Sequence, residues 1–359
     1  MGPVYPARGP TGPGAGRSHP TARSQGPVSP RKGPAAHRRG RPRRAIVEAH
    51  RRTALRRYTV TRPVAVGLDG SPASLAAADW GAREALRRDL PLRLVHAWEW
   101  QPYTHAPLVG MDAPRLWSER VPREAAAELR DRYPDLKIAE AHATGPPPEV
   151  LCDVAGESEL LAIGSAGLGR LAGYFLGSVA MSVVAHTERP VVLVRAGTTS
   201  VDERLLAGDG RPLSAMAYRP VVLGMDLSRR SGDVIRFAFE TAALRAAPLR
   251  VVHGWNPPAF FAYGVGVDPS LRADIAAQET DALRTALRPW QERYPGVDVI
   301  EQSVIGQAAH HLVDAGGDAG LLVVGRYTDR SRAGPARLGH VTHAVLHHCP
   351  APVAVVPHD

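Results

Sequence analysis

The feature that most constrains this chain is an internal repeat. Pro63-Val64-Ala65-Val66-Gly67-Leu68-Asp69 returns as Pro220-Val221-Val222-Leu223-Gly224-Met225-Asp226, and Leu94-Val95-His96-Ala97-Trp98 returns as Val251-Val252-His253-Gly254-Trp255, both 157 residues later. Arg132-Tyr133-Pro134 and Ala162-Ile163-Gly164 return as Arg293-Tyr294-Pro295 and Val323-Val324-Gly325, 161 residues later. Segments that keep their order and spacing across a whole module describe two copies of one fold. A length of 359 residues accommodates two such domains, each large enough to bury a core of its own.

Within each copy, short runs rich in Val and Leu alternate with longer stretches of helical period. That alternation is the pattern of βαβ units around a parallel sheet. In the first copy it predicts strands at Pro63 to Leu68, Leu92 to Trp98, Lys137 to Ala143, Leu160 to Gly164 and Val191 to Val194. Helices are expected near Ala73 to Arg88, Leu116 to Arg132 and Pro148 to Ala155, with a fourth starting at Gly177. Ser71-Pro72 supplies an N-cap and a first-turn proline for the first helix. The expected fold class is therefore α/β: two tandem Rossmann-like domains, each a five-stranded parallel sheet with helices on both faces. Domain 1 is placed at residues 59–197 and domain 2 at 219–359. A linker rich in Gly and polar residues, 198–218, lies between them. The apolar fifth strands, Val191 to Val194 and Val353 to Val356, are candidate sheet edges. Such edges pair readily, so strand five of one copy is expected against strand five of another, as an intramolecular pseudo-dimer or a homodimer.

The net charge of +9 is unevenly spread: residues 1–58 hold 14 of the 44 Lys and Arg and one acid, Glu48. The remainder carries 30 basic against 34 acidic residues, so the two modules are mildly acidic. The basic segment alternates Pro, Gly, Ser and Arg without apolar periodicity and is expected to be a disordered tail. It reads as solvated chain or as an arm that meets nucleic acid. The absence of interleaved aromatics or of a groove-reading helix favours the former. Cys152 and Cys349 are far apart, which argues against a disulfide framework or a thiolate metal site. No apolar run is long enough to span a bilayer, and no apolar leader core is present, so a soluble, cytoplasmic protein is expected.

Ligands of open parallel sheets bind beyond the carboxyl ends of the strands, where the strand order reverses. After strand one comes Asp69-Gly70-Ser71, with Asp226-Leu227-Ser228 as its counterpart. A carboxylate there serves a ribose, a base or a metal ion, and equally well caps its own turn. After strand four comes Gly164-Ser165-Ala166-Gly167, then nine residues, then Gly177-Ser178-Val179. Glycines admit phosphate close to the backbone, and a helix beginning at Gly177 offers free N–H groups. The same glycines also suit sharp turns and tight strand–helix packing.

The spacing Gly-x2-Gly-x9-Gly-Ser over residues 164–178, with an Asp closing strand one, resembles the nucleotide-binding signature of the universal stress protein family. The resemblance covers residues 62–196 and 219–358. It implies an ATP-binding stress or dormancy protein, with ATP as ligand and Mg as its accompanying ion. Contacts are implied at Asp69, Ala97, Gly164, Gly167, Gly177, Ser178 and Val179. In the second copy Thr328 replaces Gly167, His340 replaces Ser178, and the loop to Gly339 is one residue longer. A weaker second site at Asp226, Gly325 and Gly339 is therefore expected. Arg326, Arg330, Arg332 and Arg337 there read as exposed loop charges, or as electrostatic compensation.

Competing classes are an adenylate-cleaving enzyme of similar fold and a nucleotide-independent interaction module with a nucleic-acid-binding tail. The enzyme class lacks a Walker A run and a convergent base–nucleophile pair; slow hydrolysis is the most it would support. His340, His343, His347 and His348 favour an amphipathic or surface helix over a metal site. His96 and His253 read as hydrogen-bonded structural groups. Trp98, Trp100 and Trp255 read as sheet-edge packing rather than base stacking.

Overall fold

The computed structural model describes residues 61–99, 112–165, 177–205, 218–229, 231–257, 269–328 and 338–359. The basic tail, Gly167, Trp100 and the arginines at 330, 332 and 337 lie outside these residues.

The first copy runs β1 (Val64–Leu68), α1 (Pro72–Arg88), β2 (Leu92–Trp98), α2 (Asp112–Arg132), β3 (Ile138–Thr144), α3 (Pro147–Gly156), β4 (Leu160–Ser165), α4 (Ser178–His186) and β5 (Val191–Arg195). The second runs β6 (Val221–Gly224), α5 (Gly232–Arg245), β7 (Leu249–Trp255), α6 (Pro269–Arg293), β8 (Val299–Ile305), α7 (Ala308–Gly316), β9 (Leu321–Tyr327), α8 (His340–His348) and β10 (Val353–His358). The predicted elements of the first copy are present, with ends shifted by a few residues. Ser71 caps α1 as its sequence suggests: its side chain accepts a hydrogen bond from the Ser74 N–H, with Pro72 in the first turn.

Each copy forms a five-stranded parallel sheet, in the orders 3-2-1-4-5 and 8-7-6-9-10. The two sheets are one. β5 pairs antiparallel with β10, with Val353, Ala354 and Val355 opposite Leu193, Val192 and Val191. Val191, Val192 and Leu193 are the repeat counterparts of Val353, Ala354 and Val355, so the register is self-complementary about Val192 and Ala354. This is the isologous contact of a two-fold dimer, made within one chain. The fifth strands thus meet as expected. The joining strands are almost wholly buried and, up to Arg195 and His358 at their ends, continuously apolar, as strands covered on both faces must be.

α1, α2, α5 and α6 cover one face of the ten-stranded sheet, and α3, α4, α7 and α8 cover the other. Both apolar layers run from the first copy into the second without a break. On the first face the helices α1 and α5 meet across the pseudo-two-fold axis through paired arginines. Arg88 donates to Thr241 Oγ1 at 3.1 Å and lies over the Phe237 ring. Arg245 donates to Glu84 Oε2 at 2.9 Å and lies over the Trp80 ring. These are the same two contacts seen from either side, with Glu84 in the position that Thr241 takes in the other copy. The predicted linker contributes as well. Glu203, 1% exposed, bonds Arg83 and Arg87 of α1, and Arg204 forms a bridge to Tyr218. That stretch is polar in composition yet packed at Glu203. It adds a second carboxylate to arginines that already pair within α1, Arg83 with Asp79 and Arg87 with Glu84.

Candidate functional site

The strand order in each copy reverses at its first strand, between β1 and β4 and between β6 and β9. A crevice beyond the carboxyl ends of these strands is the position at which an open α/β sheet takes a ligand. In the second copy that crevice is a cavity of about 850 Å³, a volume in the range that small-molecule sites occupy. Asp226, Gly325 and Gly339 all line it, together with His253, His340 and Thr342. The three residues expected at the weaker second site are thereby brought together. Thr342 Oγ1 donates to the Gly325 carbonyl at 3.0 Å, fastening the first turn of α8 to the end of β9.

Asp69 and Asp226 follow the ends of β1 and β6 and are exposed. Oδ1 of each accepts the N–H two residues on, from Ser71 and Ser228, both at 2.9 Å. Each thus caps a local turn, and Gly70 takes the positive φ of 80° that the first turn requires. Partial desolvation pushes the Asp69 carboxyl up, but hydrogen bonds from Ser71 and Ser74 outweigh it and hold the group below its ordinary range. It stands ionised beside the start of α1. Asp226 additionally accepts from the Ser228 hydroxyl at 2.6 Å, and Arg229 Nε lies 3.8 Å from its other oxygen.

Gly164 and Gly177 do different things. A Cβ on Gly164 would lie 2.5 Å from the Ala73 carbonyl carbon and the Ser74 nitrogen, backbone atoms of α1. Gly164 therefore lets β4 touch the first turn of α1, the packing role that its sequence also allowed. Gly177 is the N-cap of α4, extended at φ −62° and ψ 154°, and a Cβ there would meet nothing within 4 Å. Gly339 caps α8 in the same geometry with the same open space. Among the described residues neither helix start has a side-chain cap, which leaves first-turn N–H groups without an intrahelical partner. Ser178 is exposed at that start, Val179 packs on the sheet layer, and Ala97 is half-buried near the end of β2.

His96 and His253 are structural, as expected. Their Nδ1 atoms lie 2.7 and 3.0 Å from the carbonyls of Leu68 and Met225, tying the end of the second strand to the first in each copy. His253 Nε2 also lies 3.2 Å from Glu279. Trp255 is buried in register with Ile305, and Trp98 is half-buried at the same place in the first copy. His343 and His347 have ring centroids 4.4 Å apart, and among the described residues no group of three or more His, Cys, Asp or Glu could hold a metal ion. Cys152 and Cys349 are free, and burial pushes the Cys349 thiol up to about 11.

Arg326 requires a correction. Read as an exposed loop charge, it is 4% exposed and donates to the Thr187 carbonyl of the first copy. Arg195 makes the converse contact and drew no notice in the sequence. In both cases an Arg closing an apolar strand was the available signal.

The model of the "Universal stress protein family" matches residues 61–195 and 217–357. A universal stress protein of Mycobacterium tuberculosis is 32% identical over 302 residues, 81% of this chain and 96% of that protein. The crystal structure of a universal stress protein from Archaeoglobus fulgidus superposes with a TM-score of 0.59 at 16% identity, covering 83% of this chain and 99% of that one. A universal stress protein solved in complex with cAMP is 28% identical, covering 38% of this chain and 98% of that one, with a TM-score of 0.30. Two family domains matched in tandem, and a relative aligned through both, give the assignment: the chain belongs to the universal stress protein family.

Proposed function

We propose that this protein is a cytoplasmic, ATP-binding universal stress protein of stress response or dormancy. In this reading the stronger nucleotide site is in the first copy and a weaker one in the second. The observation that carries it is the cavity over the switch point of the second copy, walled by the repeat counterparts of the first copy's signature residues. The first copy has the same strand order, the same turn carboxylate and the same Gly N-cap. It also keeps Ser178 where the second copy has His340.

Asp69 and Ala97 would meet the sugar and base side. Gly167, Gly177, Ser178 and Val179 would offer backbone N–H groups and a hydroxyl to phosphate, where a helix start favours negative charge. Gly164 would act one step back, by letting β4 approach α1. Mg would accompany the phosphates rather than occupy a protein cage. The role is storage or sensing of nucleotide, with slow hydrolysis at most.

Calorimetric titration of ATP into the full chain, with and without Mg, tests this. Binding is expected, weakened tenfold or more by Gly177→Val combined with Ser178→Glu, which fill the open cap and place a carboxylate against phosphate. Absence of ATP binding by the unsubstituted chain overturns the proposal.

A further inference from the structure

The helices that begin at the glycine caps are α4 and α8, and carbonyls at the C-terminal end of each accept from an arginine of the other module. Arg195, the last residue of β5 and 7% exposed, crosses to the second copy. Its Nε donates to the Cys349 carbonyl and its Nη2 to the Leu346 carbonyl, each at 2.8 Å. Cys349 is the C-cap of α8. Arg326 of β9 crosses the other way and donates through Nη2 to the carbonyl of Thr187, the C-cap of α4. A guanidinium at this place satisfies carbonyls that a helix leaves unpaired, and it complements the negative end of the helix dipole. The carbonyls in turn compensate a cation that burial would otherwise penalise.

Each arginine is also built into its own module's loop start. Arg195 is in register with Ser165, next to the Val194–Gly164 pair, and Arg326 directly follows Gly325. So Arg326 is on the strand from which one candidate phosphate loop departs and Arg195 is on β5, paired with the end of the strand from which the other departs, while each side chain holds the helix of the other module. Each helix has nine residues, so only about 13 Å separates the clamped end from the open cap.

Resting on the nucleotide reading above, we propose that Arg195 and Arg326 are positioning residues. Each sets the helix start at the other module's site, and together they couple the two sites across the β5–β10 seam. Occupancy of one loop then changes affinity at the other, reciprocally.

The test uses the full chain with ATP. Arg326→Met lies in the second module, yet it is expected to weaken the tighter, first-copy binding step about fivefold or more. Arg326→Lys keeps a charge and a donor, and is expected to recover part of that loss with a thermal midpoint near that of the unsubstituted chain. Unchanged affinity of the tighter step in Arg326→Met overturns the coupling. Amide exchange on the unliganded chain gives a second readout. The Met181 N–H bonds the Gly177 carbonyl at 3.0 Å, and the His343 N–H bonds that of Gly339 at 2.9 Å. Arg326→Met should speed exchange at Met181, and Arg195→Met at His343, in each case in the module not substituted. Changes confined to the substituted module overturn the proposal. If the unsubstituted chain takes up no ATP, the nucleotide reading falls, and the exchange pattern still decides on the clamp.

Discussion

The two copies carry the same arginine at the end of their first helix, Arg88 and Arg245, and give it different partners. Arg245 meets a carboxylate, Glu84, whereas Arg88 meets the hydroxyl of Thr241 in the equivalent place and Glu84 of its own helix. One buried acid therefore serves both sides of the pseudo-two-fold axis, and Glu203 serves the first copy's remaining arginines. An interface between identical subunits would have to repeat every charge. Two fused copies are free to share one, so the tandem arrangement allows an asymmetric solution in which the first copy and the connecting segment hold the acids and the second supplies Arg245.

The comparison breaks most sharply at that position. Arg245 is 1% exposed, and its Nε and Nη1 have no hydrogen-bond partner among the described residues, so it depends on Glu84. Glu84→Ala is expected to lower unfolding stability by about 3–5 kcal/mol, because it leaves buried guanidinium groups without their carboxylate. Thr241→Val removes one hydrogen bond from a copy that keeps its acid, and should cost about 1 kcal/mol. Denaturant midpoints at constant slope measure both; equal losses would show that the acid is not shared in this way.

Acid sharpens the same contrast. Burial pushes the Glu84 carboxyl up, but Arg245, Arg88 and Arg87 overcome it and hold it at about 2, against 4.5 for the free group. A carboxylate depressed on folding contributes stability that is complete above pH 4.5 and is lost as pH falls toward 2. At about 1.4 kcal/mol per pH unit the loss over that window is about 3 kcal/mol. Glu84→Gln should be less stable at neutral pH and show a flatter decline between pH 4.5 and 2. An unchanged slope would remove Glu84 from the acid response.

The strand-four glycines separate the copies by a smaller amount. On Gly164 a Cβ would strike α1 backbone, whereas on Gly325 its nearest neighbours are side-chain atoms of His358 and Val234. Gly164→Ala is expected to cost about 2–3 kcal/mol and Gly325→Ala about 1 kcal/mol, since side chains yield more readily than backbone. Thermal unfolding compares them directly. The reverse ranking would mean that β4 and α1 separate easily, and with it that Gly164 is spare for ligand contact.

Much of this was legible because it is local or periodic. The Val-rich runs define strands wherever both sheet faces are covered, Ser71-Pro72 marks the start of α1, and the repeat places Asp226, Gly325 and Gly339 before any cavity is seen. The apolar fifth strands even indicate which edges join. The side chains that stitch the modules together were not legible. Glu203 lies in a polar stretch where an acid is unremarkable, and Glu84 is one of five charges in α1 that the sequence does not sort into buried and exposed. Their burial depends on residues more than a hundred positions away, such as Arg245, and no local pattern encodes that. Arg326 was misread for the same reason: beside a loop rich in Arg it looks like one more exposed charge, and only the β5–β10 seam brings Thr187 to it.

The smallest expected difference lies at the helix ends just past those arginines. Asp89 and Ala246 are the equivalent C-caps of α1 and α5, and both are left-handed, at φ 51° and 47°. Asp tolerates that conformation because its short polar side chain interacts locally, while Ala gains nothing there and bears about 1–2 kcal/mol of steric cost. Ala246 is exposed, so Gly in its place loses no packing, though it adds freedom to the unfolded chain worth about 0.4–1 kcal/mol. Ala246→Gly should therefore stabilise the protein by about 0.5–1 kcal/mol, and Asp89→Gly should change it by a few tenths at most. Calorimetric melting of the two variants checks this, and a destabilised Ala246→Gly would mean that α5 does not close through a left-handed residue.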